Sequence, residues 1–323
     1  MGPGPLLTAL RNLISRVRLK NIKTLLVRLT PEFKRFVSHN SATMRNILLP
    51  QIQTRFSDNL ESKNQKTVID LAIKDFKKRG QQLTPEFIDI TISNLKMFLF
   101  AGHDTTAQTI CWLLHEIYKR PDILQSLRSE HDKVLGPDSK SAYKALQESP
   151  HLVNELHYTS AVIKESLRIH PLADTFRQGS ANFTFLLDGM QYPTYECLIQ
   201  TNTSMTHTHP ELWPRPTEFI PDRFLVPEGH ALHPVKNAWR PFEMGSMNCI
   251  GQELAVLELK LVLVFTIQEL EFDFDYEQWD VVQKRNRTDA AMAETVNGER
   301  AYRCGMGIGY IKDNLPVRVR FRS

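Results

Sequence analysis

The chain has 323 residues, 41% of them hydrophobic and 24% charged, with a formal net charge of +4. That composition belongs to an ordinary globular protein long enough to bury one large core or two smaller ones, and it excludes fibrous and wholly disordered classes. Four cysteines, Cys111, Cys197, Cys249 and Cys304, stand far apart without CxxC or Cys/His spacing, so neither a disulfide framework nor a zinc site is indicated.

Charge is uneven along the chain. Residues 1–80 carry sixteen Lys/Arg against five Asp/Glu, and the remainder twenty-four against thirty-one. Within the basic part, Leu10, Leu13, Ile14 and Val17 recur at helical spacing. The pattern reads first as a solvated basic face on a core-packed helix, with contact to an anionic membrane surface as the alternative. No recognised module or aromatic interleaving accompanies the charge, which argues against nucleic-acid binding. The opening "MGPGPLLTALRNLISRVRLKNIK" lacks a bilayer-length apolar span and a small-residue cleavage site, so neither secretion nor membrane insertion is expected of this chain.

Further along, "LTPEF" offers a helix start, with Thr84 as N-cap and Pro85 at the first helical position. Helical character then persists through "IDITISNLKMFLFAGHDTTAQTICWLLHEIYK", unusually far for a globular helix. Pro121 opens another helix that ends near Gly136. The apolar period of "LVNELHYTSAVIKESLRI" predicts a helix over Leu152–Ile169, stopped by Pro171. Phe183 and Phe185 alternate ahead of an Asp-Gly turn, the pattern of a β-hairpin or meander. A proline-rich loop, "HPELWPRPTEFIPDRF", follows. The helix expected over Gln252–Leu270 is apolar on most sides and so deeply buried, and "LPVRVRFR" closes the chain as an alternating strand. The expected fold is mainly α with a small β subdomain.

Four stretches could carry chemistry. In "FEMGSMNCIG", Cys249 precedes a helix whose free N–H groups point toward the sulfur, a setting suited to a metal-binding thiolate. Gly245 and Gly251 allow a tight turn and close approach of a flat ligand. For a lone cysteine the competing reading is a buried structural thiol. In "AGHDTT", Ala101 to Thr106, Asp104 and two hydroxyls lie inside a long helix, where unpaired polar groups are costly. Gly102 sacrifices about 1 kcal/mol of helix propensity relative to Ala, and its missing side chain opens space beside Thr105 and Thr106. The alternative is a helix bend made by threonine back-bonding. "ESLR" sets Glu165 and Arg168 on one helix face, and "FIPDRF" supplies Arg223, which can turn that pair into a buried triad. His207 and His209 lack further ligands for a metal site. "CGMGIG" has glycines without the strand-turn-helix setting of a dinucleotide site.

In this order, "AGHDTT", "ESLR", "PDRF" and "FEMGSMNCIG" resemble the four signatures of the cytochrome P450 superfamily of haem-thiolate monooxygenases, and "WRPFE" with "NCIGQELA" resembles the fungal members that decorate secondary metabolites. The resemblance implies haem b, with Cys249 as its axial thiolate and metal ligand and Phe242, Gly245 and Gly251 around the sulfur. It implies Ala101 and Gly102 in the oxygen pocket, with Asp104 and Thr105 delivering protons. Glu165, Arg168 and Arg223 become a structural triad, and Arg177 a partner of a haem propionate. One oxygen atom of O2 would enter a C–H or C=C bond of an apolar small molecule, with electrons from an NADPH-dependent flavoprotein reductase. The family is expected at the endoplasmic reticulum membrane surface; without an anchor here, a cytoplasmic or peripheral position follows.

Two departures accompany the resemblance. Met247 stands where the family's loop carries a propionate-binding Arg or His, and a lost charge-assisted bond is worth roughly 1.5–3 kcal/mol. The chain also reads as one catalytic domain, 1–323, lacking the family's N-terminal segment. Its parts would be a basic helical region (1–83), the oxygen-binding and Glu-x-x-Arg helices (84–170), the small sheet and haem loop (171–251), and a buried helix with C-terminal strands (252–323). A truncated, non-catalytic remnant that binds haem weakly or not at all is the competing reading. A haem-thiolate isomerase or peroxide-using enzyme is a third, disfavoured by the Asp-Thr pair.

Overall fold

The computed structural model describes residues 4–17, 30–57, 67–80, 82–283, 295–305 and 308–322. The side chains of Ile14 and Val17, two glycine-rich-stretch residues, Met306 and Gly307, and parts of the 1–83 region fall outside the described residues. The chain divides into two compact units, 1–103 and 104–323.

The first unit holds helices α1 (Pro5–Val17), α2 (Pro31–Ser57) and α3 (Val68–Lys78) and the first part of α4 (Pro85–Tyr118). Ala9 and Leu10 of α1 are buried with Met44 of α2, with Leu13 partly buried against them, so Leu10 and Leu13 of the stripe predicted on the first helix pack into a core. Leu48, Ile52, Ile73 and Ile92 make a second cluster across α2, α3 and α4. Side-chain caps mark three of these starts, the Phe33 N–H donating to the Thr30 hydroxyl at 3.2 Å ahead of α2. Thr67 and Asp70 form a capping box at α3, and the Phe87 N–H donates to the Thr84 hydroxyl at 3.2 Å ahead of α4.

The second unit carries the rest of α4, then α5 (Pro121–Leu135), α6 (Ser139–Glu148), α7 (His157–Ile169), α8 (Thr203–His207), α9 (Gln252–Ile267) and α10 (Tyr276–Val282). Its main core joins Leu113 and Ile117 of α4, Leu127 of α5, Val162 and Ile163 of α7, and Leu263 and Ile267 of α9. Each such side chain contributes about 1.5–3 kcal/mol by burial. Among the described residues the strands form two-stranded antiparallel ribbons: β1 (Phe176–Gln178) with β4 (Leu198–Gln200), β2 (Thr184–Leu187) with β3 (Met190–Pro193), β5 (Leu270–Phe274) with β8 (Val317–Phe321), and β6 (Arg303–Cys304) with β7 (Tyr310–Ile311). The fold is mainly α with small sheets, as expected.

The hairpin predicted around Asp188-Gly189 is β2–β3, and both turn residues have positive φ, 51° and 77°, as a two-residue hairpin turn requires. Three details differ from the sequence reading. The helix expected over Leu152–Ile169 is a 3-10 segment, Pro150–Glu155, followed by α7 from His157. The start of α7 is set by a neighbour: the Glu130 carboxylate accepts the Tyr158 and Thr159 N–H groups at 2.6 and 2.8 Å, a cap that sequence proximity does not reveal. The helix after Cys249 stops at Ile267 because Leu270 enters β5. Its burial is also one-sided along its length. Leu259, Leu263, Val264 and Ile267 are buried while Leu254 is 53% exposed, because only the later turns reach the core. Helix α6 was not anticipated, although Asp138, which accepts the Ser141 N–H at 2.8 Å, is a legible N-cap.

Gly179 follows β1 so closely against the chain that a Cβ there would lie 1.8 Å from the Thr194 carbonyl oxygen. Gly179→Ala is expected to lower stability by about 1–3 kcal/mol, as overpacked sites do. A urea midpoint equal to that of the unsubstituted chain would contradict this.

Candidate active site

The site grows from a buried electrostatic knot. Glu165, Arg168 and Arg223 are all fully buried. One carboxylate oxygen of Glu165 accepts the Arg168 Nε–H at 2.8 Å; the other accepts Arg168 Nη2 at 2.8 Å, Arg223 Nε at 3.1 Å and the Ile220 N–H at 2.8 Å. The remaining guanidinium protons reach main-chain carbonyls of His207, Pro216, Glu218, Pro214 and Arg215. Trp213, fully buried, lies under both guanidinium groups at 5.1 and 5.8 Å. The structure thus brings the three sequence-predicted residues into one triad and ties α7 to the loop that leads toward Cys249.

Two connections run on from the triad to that loop. One is aromatic: Trp213, Phe224, Trp239 and Phe242 follow one another at centroid spacings of 6.2, 6.2 and 6.1 Å. The other passes through His207. Its Nε2 accepts the Arg240 N–H at 2.8 Å, and its Nδ1 meets the Arg168 carbonyl at 3.1 Å. An amide can only donate and a carbonyl only accept, so the ring is the neutral Nδ1–H tautomer. Burial holds its pKa down, to about 4. His207 is a structural histidine, with both ring nitrogens engaged by main-chain groups.

The loop itself closes on a hydrogen bond from the Cys249 N–H to the Phe242 carbonyl at 2.8 Å, with an inner turn from Asn248 N–H to Gly245 carbonyl at 3.1 Å. Gly245 has φ 73°, the left-handed region that glycine adopts without strain. Gly251 has an ordinary φ of −90°; a Cβ there would lie 3.9 Å from the Cys249 sulfur, so its contribution is room beside the sulfur. Cys249 is exposed and unpaired with any other cysteine, and α9 begins three residues later.

A cavity of about 220 Å³ gathers the chemistry: Phe242, Met247 and Cys249 from the loop face Thr105, Thr106 and Thr109 of α4, with Leu167, Leu172, Ala255 and Leu259 as apolar walls. The Thr109 hydroxyl donates to the Thr105 carbonyl at 2.9 Å. Asp104 adjoins this row without lining the cavity, and Gly245 and Gly251 also lie outside the lining. Arg177 sits in β1 opposite Ile199, and its guanidinium donates to the Phe176 carbonyl at 3.0 Å. Ala101 and Gly102 belong to the first unit, where a Cβ on Gly102 would meet nothing within 4 Å. Thr109, Thr175 and Glu243 line the cavity without having been singled out from the sequence. Thr109 was findable, one helical turn beyond Thr105 on the same face.

The donor set fits a haem. A soft sulfur donor stands at the rim of an apolar cavity, and in the residue before Pro241 the Arg240 Nη2 is paired with Glu243 while its Nε is buried without a hydrogen-bond partner among the described residues, which leaves one guanidinium donor for a further carboxylate. Met247, 58% exposed, supplies no such donor.

Comparison with known proteins agrees with this geometry. The sequence model of the family "Cytochrome P450" matches residues 7–295. The chain is 38% identical over 288 residues to the cytochrome P450 monooxygenase polC of Polytolypa hystricis, covering 87% of this chain and 51% of that protein. It is 31% identical over 304 residues to the cytochrome P450 monooxygenase acrF of Aspergillus aculeatus, covering 86% and 60%. The chain therefore spans about half of the first relative's length and three-fifths of the second's. In fold, the whole chain superposes on 66% of a cytochrome P450 (CYP102L1) with a TM-score of 0.74 at 22% identity. With the cysteine loop, the buried Glu-Arg-Arg triad and the family match over most of its length, this chain belongs to the cytochrome P450 family.

Proposed function

We propose that the chain is a haem-thiolate monooxygenase that inserts one oxygen atom from O2 into an apolar small molecule, with Cys249 as the axial ligand of haem b. The observation that carries the reading is the convergence of Cys249 and Phe242 with the α4 threonines on one apolar cavity. Bound haem supplies the redox chemistry and the site where O2 is activated, with thiolate ligation favouring O–O cleavage. Cys249 offers its sulfur at the rim, held by the Phe242 carbonyl bond. Phe242 lines the same cavity as Cys249, and with Leu167, Leu172 and Leu259 it would keep water away from the site. Asp104 and Thr105 hold and pass protons on α4, while Thr109 fixes the Thr105 carbonyl by its hydrogen bond. Ala101 and Gly102 leave space for a small ligand, Gly245 and Gly251 allow the loop's approach, and Glu165, Arg168 and Arg223 support it. Arg240, with its orphan Nε, takes the propionate role that Met247 cannot fill, beside Arg177.

Electrons would come from an NADPH-dependent flavoprotein reductase. No helix among the described residues is long and apolar enough to cross a membrane; a position at the endoplasmic reticulum surface, held peripherally, suits the basic α1. An apolar substrate suits the Leu167, Leu172 and Leu259 walls; a place in fungal secondary metabolism, with 1–323 acting as one catalytic domain, is part of the same proposal.

Haem titrated into the purified chain should quench tryptophan fluorescence with one-to-one stoichiometry, since Trp239 packs on Phe242. A chain that is folded by circular dichroism yet takes up no haem would overturn the proposal in favour of a non-catalytic remnant.

A further inference from the structure

We propose that Glu243 is the positioning residue that sets the Cys249 loop, anchoring it to the β1–β4 ribbon through Thr175 and Thr201. The inference rests on Cys249 being the haem ligand for its catalytic meaning, although the anchor itself is a property of the chain alone.

Glu243 has φ 59°, a left-handed conformation that costs a non-glycine residue energy and persists only where the surroundings enforce it. Its side chain is 8% exposed and is held at both carboxylate oxygens. Oε1 accepts the Thr175 hydroxyl at 2.6 Å and lies 3.2 Å from the Thr201 hydroxyl; Oε2 accepts Arg240 Nη2 at 2.7 Å. The two threonines bracket the ribbon, their hydroxyls 2.8 Å apart and the Thr201 N–H donating to the Thr175 carbonyl at 2.9 Å. Other hydrogen bonds of residues 242–249, Cys249 to Phe242, Asn248 to Gly245 and Glu243 N–H to Arg240, stay within the loop and its approach. The Cys249 carbonyl accepts the Gln252 N–H at the start of α9 at 3.2 Å, and among the described residues the side-chain hydrogen bonds that join residues 242–249 to a different element all end on the Glu243 carboxylate. The same carboxylate lies between the inner cavity of Cys249 and an outer groove lined by Lys164, His233 and Asn248, so it fixes the wall that separates them.

A loop held otherwise by its own turns, by its two ends at Arg240 and α9 and by the packing of Phe242 on Trp239 can still pivot about those ends. The sulfur at its end then has no fixed direction, and a carboxylate tether to a ribbon removes that freedom. Thr175 also lines the inner cavity, so the tether fixes the loop relative to a wall of the site and not to a remote surface.

The test is hydrogen exchange on the full chain as purified, comparing Glu243→Ala, Glu243→Gln and Thr175→Val with the unsubstituted chain. Glu243→Ala should speed exchange about tenfold in residues 242–251, the kinetic equivalent of losing a charge-assisted hydrogen bond, with α7 unchanged. Glu243→Gln, which keeps an acceptor for Thr175, should restore part of that protection. Adding Thr175→Val to Glu243→Ala should change nothing further, because both remove one connection. In haem-loaded protein the carbon monoxide difference spectrum of Glu243→Ala should lose thiolate-type absorption in favour of the thiol type, with Glu243→Gln intermediate. Unchanged exchange in 242–251 for both Glu243 variants would overturn the proposal. Faster exchange in a chain that takes up no haem would uphold the anchor while removing the haem reading, so the two failures are distinguishable.

Discussion

Substitution of Glu165 by alanine is expected to destabilise residues 104–323 by about 3–5 kcal/mol, the cost of breaking a buried ion pair by removing one partner. Its carboxylate is the counter-charge to two guanidinium groups that have no access to water. With it gone, Arg168 and Arg223 keep their carbonyl partners, but two cations then face each other in a medium that screens them weakly. A domain of ordinary stability has only about 5–15 kcal/mol to lose. Glu165→Gln should cost less, since the amide oxygen still accepts from an arginine. All four tryptophans lie within residues 104–323, and Trp213 sits against both arginines, so tryptophan fluorescence during urea unfolding reports the change. A loss below about 1 kcal/mol, the range of an exposed pair, would contradict a desolvated triad.

Stability should also fall steeply as pH drops from about 6.5 toward 4. Burial pushes the pKa of His115, His131 and His207 down to about 4 each, against an unfolded value of 6.5. Across that window the unfolded chain binds protons that the folded chain refuses, so folding is penalised as pH falls, and the penalty levels off once the folded imidazoles also titrate. Each histidine that stays neutral to pH 4 withdraws about 3 kcal/mol, at 1.36 kcal/mol per unit. The hydrogen bonds explain the resistance. Thr159 donates to Glu130 at 2.7 Å, so the His131 Nε2–H must donate to Thr159 at 2.9 Å, leaving Nδ1 a buried, unpartnered acceptor. Protonating His207 would break the bond from Arg240. Below about 4.5 a second loss begins. Although burial alone would raise it, the His170 hydrogen bond and the charges of His170 and Arg120 hold Glu116 down to about 2, and its contribution disappears as pH falls through that value. Urea midpoints between pH 7 and 4 test the first window. A flat profile there would refute the neutral histidines, and His131→Gln should flatten part of it.

Much of the fold was legible because its determinants are local. Thr84-Pro85, Pro121, Gly136 and Asp188-Gly189 each act through their own φ, ring or hydroxyl, and each marks the boundary expected of it. What sequence could not show depends on partners far along the chain. The start of α7 is set by Glu130, and the left-handed Glu243 is held by Thr175 and Thr201, some 68 and 42 residues away. In the site, the spacing of Glu165 and Arg168 showed that they could pair, and "PDRF" that Arg223 could join them. That Trp213 lies beneath both, and that His207 links Arg168 to Arg240, required tertiary structure, because histidine and tryptophan in a proline-rich loop have no period to read. Met247 was visible as a departure in the sequence, and so were Arg240 and Arg177 as basic residues near it; that the Arg240 Nε is buried without a hydrogen-bond partner among the described residues was not.

Under the proposed function the Cys249 sulfur ligates haem iron. The most direct measurement is the difference spectrum of the reduced, haem-loaded chain with and without carbon monoxide, recorded beside Cys249→Ala. A Soret band at the position typical of thiolate ligation is expected in the unsubstituted chain and its loss in the variant. A thiolate-type band that survives in Cys249→Ala, or that is missing from the haem-loaded unsubstituted chain, would contradict it.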